Sequence, residues 1–156
     1  MPDDNCLFCR IVSGELPATV VHENEVSVAF LDHRPLFPGH TLLVPREHVE
    51  TLGELPISTV EPYFKAVQLL ARAVESGLEA EGTFVAMNNR VSQSVPHLHV
   101  HVVPRRKKDG LKGFFWPRTK YKDDEEMKSV QSKIAAALKK LKSNQFGKNK
   151  TPKNLL

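Results

Sequence analysis

The sequence predicts an α+β domain: an antiparallel sheet of about five strands carrying two main helices. Two observations predict it. Short β-rich segments follow one another through turn-prone residues, and two long stretches carry apolar residues at helical spacing. At 156 residues the chain is long enough to bury a full core as one domain, which we place at residues 1–143.

The elements follow in order. Gly14 and Pro17 punctuate CRIVSGELPA into a short helical turn and a connection. TVVHEN and EVSVAFLD read as two strands separated by Glu23-Asn24-Glu25. Pro35, Pro38 and Gly39 mark a loop, after which HTLLVP is a third strand. From Ser58 to Ala80 the apolar positions Val60, Phe64, Val67, Leu70, Ala71, Val74 and Leu78 recur at three and four, predicting a helix. GTFVAMNN and VPHLHVHVVP are the last two strands. A closing helix starts at Asp123 or Asp124, with acidic residues favouring its first turn; Met127, Val130, Ile134, Ala137, Leu138 and Leu141 share one face. The chain has no internal repeat.

No apolar run reaches the ~20 residues that cross a bilayer, and the polar opening MPDDN is not that of a signal peptide. We therefore expect a cytoplasmic protein with no membrane partner. The net charge is +4, concentrated in Arg105-Arg106-Lys107-Lys108 and in KKLKSNQFGKNKTPKNLL. Such runs can meet nucleic acid or anionic substrates, but a solvated helix end, a loop and a disordered basic tail over 144–156 explain them better.

The chemistry concentrates in VPHLHVHVVPR, residues 95–105. On a strand, His97, His99 and His101 share one face while Leu98, Val100 and Val102 take the core face. Three polar rings in register need partners, since an unpaired buried polar group costs about 1–3 kcal/mol. Two readings compete. Imidazoles are common zinc ligands, yet a strand advances ~3.3 Å per residue, so the outer two backbones stand about 13 Å apart and converge on one ion only with strain. A ladder with ~6–7 Å between neighbours instead matches successive groups of a phosphate chain. A neutral imidazole is a competent nucleophile toward phosphorus, and the middle ring, His99, is flanked by two potential proton donors.

HLHVHVV fits His-x-His-x-His-x-x with apolar residues at each x, and resembles the histidine triad (HIT) superfamily of nucleotidyl hydrolases and transferases. CLFCRIVSGELPATVVHENEVSVAFLDHRPLFPGHTLLVPREHV resembles the amino-terminal half of bacterial members, and Asn88-Asn89 followed by QSVPH matches their lead-in to the triad. The resemblance covers roughly residues 5–118. It implies the HIT fold, with the sheet extended across a homodimer, and the Ser58–Ala80 helix, with Tyr63 and Phe64, is the expected dimer contact.

The resemblance also implies roles. His99 attacks the α-phosphorus to give a covalent nucleotidyl-histidine that water hydrolyses. His97 supports the nucleophile, and His101 contacts the phosphate and the leaving group. His40, in PGHTLLVP, is similar to a fourth family histidine that can close a hydrogen-bond chain fixing tautomers. Gln93 and Ser94 match positions that bond the phosphate or leaving group; Asn88 matches one at the phosphate end. Asp32 matches the acceptor of ribose hydroxyls, and Phe8 and Ile11 match residues that line the base pocket. The loop NNRVSQ is shorter than in many relatives; it places Arg90 either at the surface or against a second phosphate.

Cys6 and Cys9, in CLFC, have the spacing of half a zinc site; a redox pair is the rival reading, weakened by the missing βαβ context. Relatives with this pair take two further ligands from a Pro-x-x-His stretch and from the first triad histidine, which are His48 and His97 here. The implied zinc is structural. His22 and His33 show no comparable constellation and are expected at the surface. After the triad, Phe114, Phe115 and Trp116 lie among basic residues. That composition can look like a nucleic-acid surface, but in the family this segment crosses toward the other subunit, so that Trp116 caps a nucleotide pocket in trans.

The expected activity is therefore hydrolysis or nucleotidyl transfer at the α-phosphate of purine nucleotide conjugates: AMP-phosphoramidates, acyl-adenylates or dinucleoside polyphosphates. HVVPR leans toward the last. The rivals are a dinucleoside polyphosphate phosphorylase, a zinc hydrolase using the histidines as catalytic ligands, and a nucleotide-binding regulatory protein.

Overall fold

The computed structural model describes residues 5–111 and 119–147, with side chains to Lys142. They fall into two compact units that divide after Gly110.

The first unit is a five-stranded antiparallel sheet in the order β1-β2-β3-β5-β4. Its strands are β1 (Val20–Glu23), β2 (Ser27–Leu31), β3 (Thr41–Pro45), β4 (Gly82–Ala86) and β5 (Val100–Arg105). The short helix α1 (Leu7–Val12) covers one face and the long helix α2 (Ile57–Leu78) the other. Strand alternation assigns the residues. Val28 and Phe30 of β2 and Leu42 and Val44 of β3 face α1, whereas Ala29 and Leu43 meet Tyr63, Val67, Leu70 and Val74 of α2. With helices on both faces, β3 is buried along its whole length, which is why TLLVP reads as an apolar run rather than an alternation.

The turn into β3 is tight. Gly39 sits at φ +97°, and a Cβ there would collide with the side chain of Leu78. The Pro-Gly turn therefore fixes where His40 enters the sheet.

Two expectations change. The strand expected over 95–104 starts its ladder only at Val100. His97 and His99 precede it, because the Leu98 N–H bonds the Val49 carbonyl at 2.7 Å and the His97 N–H bonds Val95 at 2.8 Å, outside any strand pairing. The two faces nevertheless hold, since Leu98, Val100 and Val102 are fully buried in the α2-side core. Tyr63 is no dimer contact: its ring is wholly buried and its hydroxyl donates to the Leu43 carbonyl at 2.8 Å. Phe64, beside it, is exposed.

In the second unit, helix α3 spans Asp124–Gly147. Its acidic start matches the sequence expectation, and Met127, Ile134, Leu138 and Leu141 are exposed. Trp116 and residues 148–156 lie outside the described residues. Among the described residues no helix is long and apolar enough to cross a membrane.

Candidate active site

The segment from His97 to His101 runs past the α1 face of the sheet, and each of its three imidazoles is held differently. His99 is 3% exposed, and its Nδ1 lies 2.7 Å from the His97 carbonyl. A carbonyl only accepts, so Nδ1 carries the proton and the Nε2 lone pair is left for chemistry. The same logic orders the next ring. The Leu36 N–H donates to His40 Nδ1 at 3.2 Å, so His40 carries its proton on Nε2 and donates it to His101 Nδ1, 2.9 Å away. His101 is then left with an Nε2–H donor, its ring 4.9 Å from that of His99 between centroids.

Asp32 Oδ2 stands 3.6 Å from His40 Nδ1. That contact would be an ion pair only if His40 were protonated, and burial outweighs Asp32 in holding the His40 pKa below its ordinary value. Asp32 instead uses Oδ1 to accept the Arg34 N–H at 2.8 Å. Burial, reinforced by His99 and His40 and opposed by Asp32, pushes His101 down to about 4. His40 and His101 are therefore neutral near pH 7, the state in which one donor and one lone pair can be assigned to each.

On the other side of His99 stands a second cluster. Cys9 Sγ lies 3.2 Å from His48 Nδ1 and 3.6 Å from His97 Nδ1, and Cys6 Sγ lies 3.4 Å from His97 Nδ1. The four candidate ligand atoms all lie within 4.8 Å of one another. His97 Nε2 donates to the Pro45 carbonyl at 2.9 Å, which turns its Nδ1 lone pair toward both sulfurs. Two sulfurs and two imidazoles converging in a buried pocket are the donor set of a closed tetrahedral zinc site. The residues fit the ion. Here zinc would supply charge neutralisation and a cross-link between α1, His48 and His97.

A cleft of about 700 Å³ opens beside His99. Phe8, Ile11, Asp32, Ser94, His99 and His101 all line it, so six expected site residues meet in one cavity. The Phe8 ring stands edge-on to His99 at 5.3 Å and to Phe30 at 5.6 Å. Phe30 also lines the cleft, unnamed by the sequence reading; its place two residues before Asp32 on one strand face was the available signal.

Other expected residues sit elsewhere. Asn88 is exposed and donates to the Ser92 carbonyl at 3.1 Å, within its own loop. Gln93 donates to the Glu50 carbonyl and accepts the Arg90 N–H, both at 2.7 Å. Together with the Leu52 N–H to Asn89 bond at 2.8 Å, these contacts dock the 88–94 loop on residues 50–54. Arg90 pairs with Glu54 at 3.1 Å and is exposed, which places it at the surface. His33 is exposed as expected, whereas His22 is half-buried.

Comparison with known proteins places this arrangement. The family model described as HIT domain matches residues 13–108. A solved structure of a HIT-family protein from Bacillus subtilis is 37% identical with a TM-score of 0.75, covering 85% of this chain and 96% of its own. A zinc-bound histidine triad protein from Mycobacterium smegmatis is 36% identical with a TM-score of 0.65, covering 85% and 97%. Adenosine 5′-monophosphoramidase hnt1 of Schizosaccharomyces pombe is 31% identical over 137 residues, 86% of this chain and 99% of its own.

Proposed function

The chain belongs to the histidine triad (HIT) family, and we propose that it hydrolyses AMP-type nucleotide conjugates at the α-phosphorus through a covalent nucleotidyl-His99. One observation carries the reading: His99 is locked with its proton on Nδ1, so its Nε2 lone pair serves a cleft large enough for a nucleotide. The phosphoramidase activity named for the fission yeast relative supports the substrate class.

The steps follow from the hydrogen bonds. His99 Nε2 attacks phosphorus and the P–N or P–O bond to the leaving group breaks, its electron pair leaving with that group. His101 Nε2–H donates to the departing atom or to a phosphoryl oxygen, and His40 donates in turn to His101 Nδ1, supporting the charge change. Water then attacks the nucleotidyl-histidine, cleaving the P–N bond to return His99 and release AMP. Phe8 and Ile11 form the wall for the base, and the Asp32 carboxylate, which also lines the cleft, can accept from ribose. Cys6, Cys9, His48 and His97 would together supply four ligands to a zinc ion, whose role in this reading is to cross-link the elements that carry them.

The test is hydrolysis of adenosine 5′-phosphoramidate by wild type and His99→Asn, with and without a strong chelator. Chelator-resistant turnover that vanishes in His99→Asn is the expected result. Turnover abolished by brief chelation while the fold persists would favour a metallohydrolase, and turnover that requires inorganic phosphate would favour a phosphorylase. The resemblance also supports a homodimer, with Phe64 of α2 and the edge strand β4 as the surface a second copy would cover; sedimentation equilibrium checks it.

A further inference from the structure

We infer that zinc in the Cys6, Cys9, His48, His97 cluster sets the nucleotide affinity of the cleft by docking α1, a coupling that rests on the nucleotide reading above. The cluster and the cleft share one element. Cys9 points its sulfur at His48 and His97, while its neighbour Phe8 turns its ring to His99 and Phe30. Leu7 and Ile11, from the same helix, line the cleft.

Helix α1 has six residues, far below the ~12–15 at which an isolated helix holds itself together. Its position therefore depends on tertiary anchors, of two kinds. One is Phe8, 5% exposed, whose burial stabilises docking without fixing an orientation. The other is the thiol pair, each 4% exposed.

Without an ion, the sulfur contacts to His48 and His97 are 3.2–3.6 Å long, and a thiol is only a weak hydrogen-bonding group. With zinc, Cys6 and Cys9 are bonded through one atom to His48 and His97, and both ends of the first helical turn are fixed. The His97 carbonyl that holds the His99 proton belongs to a residue anchored by the same ion. Metal occupancy thus orders the base wall directly and the nucleophile through one backbone link.

A ligand that needs α1 docked must tighten the metal by the factor by which the metal tightens the ligand. We expect that factor to be about tenfold or more, within the ~5–150-fold span of such couplings.

The experiment is a two-way titration. AMP binding is measured by calorimetry on zinc-loaded and chelator-stripped protein, and zinc binding by chelator competition with and without saturating AMP. Amide exchange is followed separately in residues 7–12 and in α2. Equal factors in both directions, with protection of residues 7–12 gained on zinc addition while α2 is unchanged, bear the inference out. Phe8→Ala keeps the four ligands and should bind zinc normally while its coupling factor falls toward one. If stripping also melts α2, the zinc-side comparison still decides: AMP must raise zinc affinity in wild type and not in Phe8→Ala. Equal AMP affinities with and without zinc overturn the coupling and leave the nucleotide reading standing. No AMP binding to the zinc-loaded protein overturns both.

Discussion

Two clusters flank His99, and by distance alone they are equivalent: Cys6, Cys9, His48 and His97 on one side, Asp32, His40 and His101 on the other, each with its polar atoms within 4.8 Å. Their hydrogen bonds separate them. In the first, the Pro45 carbonyl takes the His97 Nε2 proton, and the Nδ1 lone pair is turned toward the sulfurs of Cys6 and Cys9. In the second, the Leu36 N–H takes the His40 Nδ1 lone pair, and a donor meets an acceptor between His40 and His101. The first arrangement asks for a cation, and the second is already closed as a proton-carrying chain. Tautomers, set by two backbone groups, are what distinguish the cluster proposed to hold zinc from the one proposed to serve the chemistry.

Substitutions can break this distinction, and their expected effects form a series. His99→Asn removes the proposed nucleophile, and phosphoramidate turnover should fall by about 10⁴-fold or more while zinc stoichiometry stays at wild type. His101→Phe removes the Nε2–H donor, and we expect kcat to fall roughly 10²–10³-fold with zinc binding intact. On the metal side the pattern inverts. Cys9→Ser should abolish stoichiometric zinc binding, measured by metal analysis after gel filtration, and lower the thermal midpoint. Its kcat for a saturating substrate should change far less than in His101→Phe. Metal loss in His101→Phe, or an equal kcat loss in Cys9→Ser, would erase the division between the clusters.

The pH dependence sharpens it. Burial holds His101 at about 4 in the folded protein against an ordinary 6.5, so between those values the unfolded chain binds more protons than the native one. Stability from this residue is therefore complete above about pH 6.5 and is lost as pH falls through that window to about 4. The loss should be roughly 1–2 kcal/mol after allowance for partial exposure, read by urea unfolding at several pH values. His101→Phe should flatten that slope. The smallest effect belongs to Asn88→Ala: because its amide serves the loop, activity should fall less than about threefold.

Much of this site was legible in the sequence because it is written in short-range order. Alternation in HLHVHVV separated the buried Leu98 and Val100 from the imidazoles, and Pro38-Gly39 announced the turn that delivers His40. The union of Cys6 and Cys9 with His48 and His97 is different in kind. It joins residues up to 91 positions apart, and only the family resemblance suggested it. Three things were out of reach. The three-and-four spacing put Phe64 on the apolar face and passed over Tyr63, whereas Tyr63 is the ring the core takes, because its hydroxyl finds the Leu43 carbonyl. Asn88 and Gln93 are polar residues whose partners are carbonyls of the neighbouring loop, invisible to spacing. The tautomers depend on Leu36 and Pro45 as backbone groups, which carry no side-chain signature at all.

A covalent nucleotidyl-histidine leaves its mark in the stereochemical course at phosphorus. An adenosine phosphorothioate conjugate chiral at the α-position would be hydrolysed in isotopically labelled water. Attack by His99 followed by attack of water is two in-line displacements, so net retention is expected. Inversion would mean that water attacks the substrate directly, and the assignment of His99 as nucleophile would be wrong.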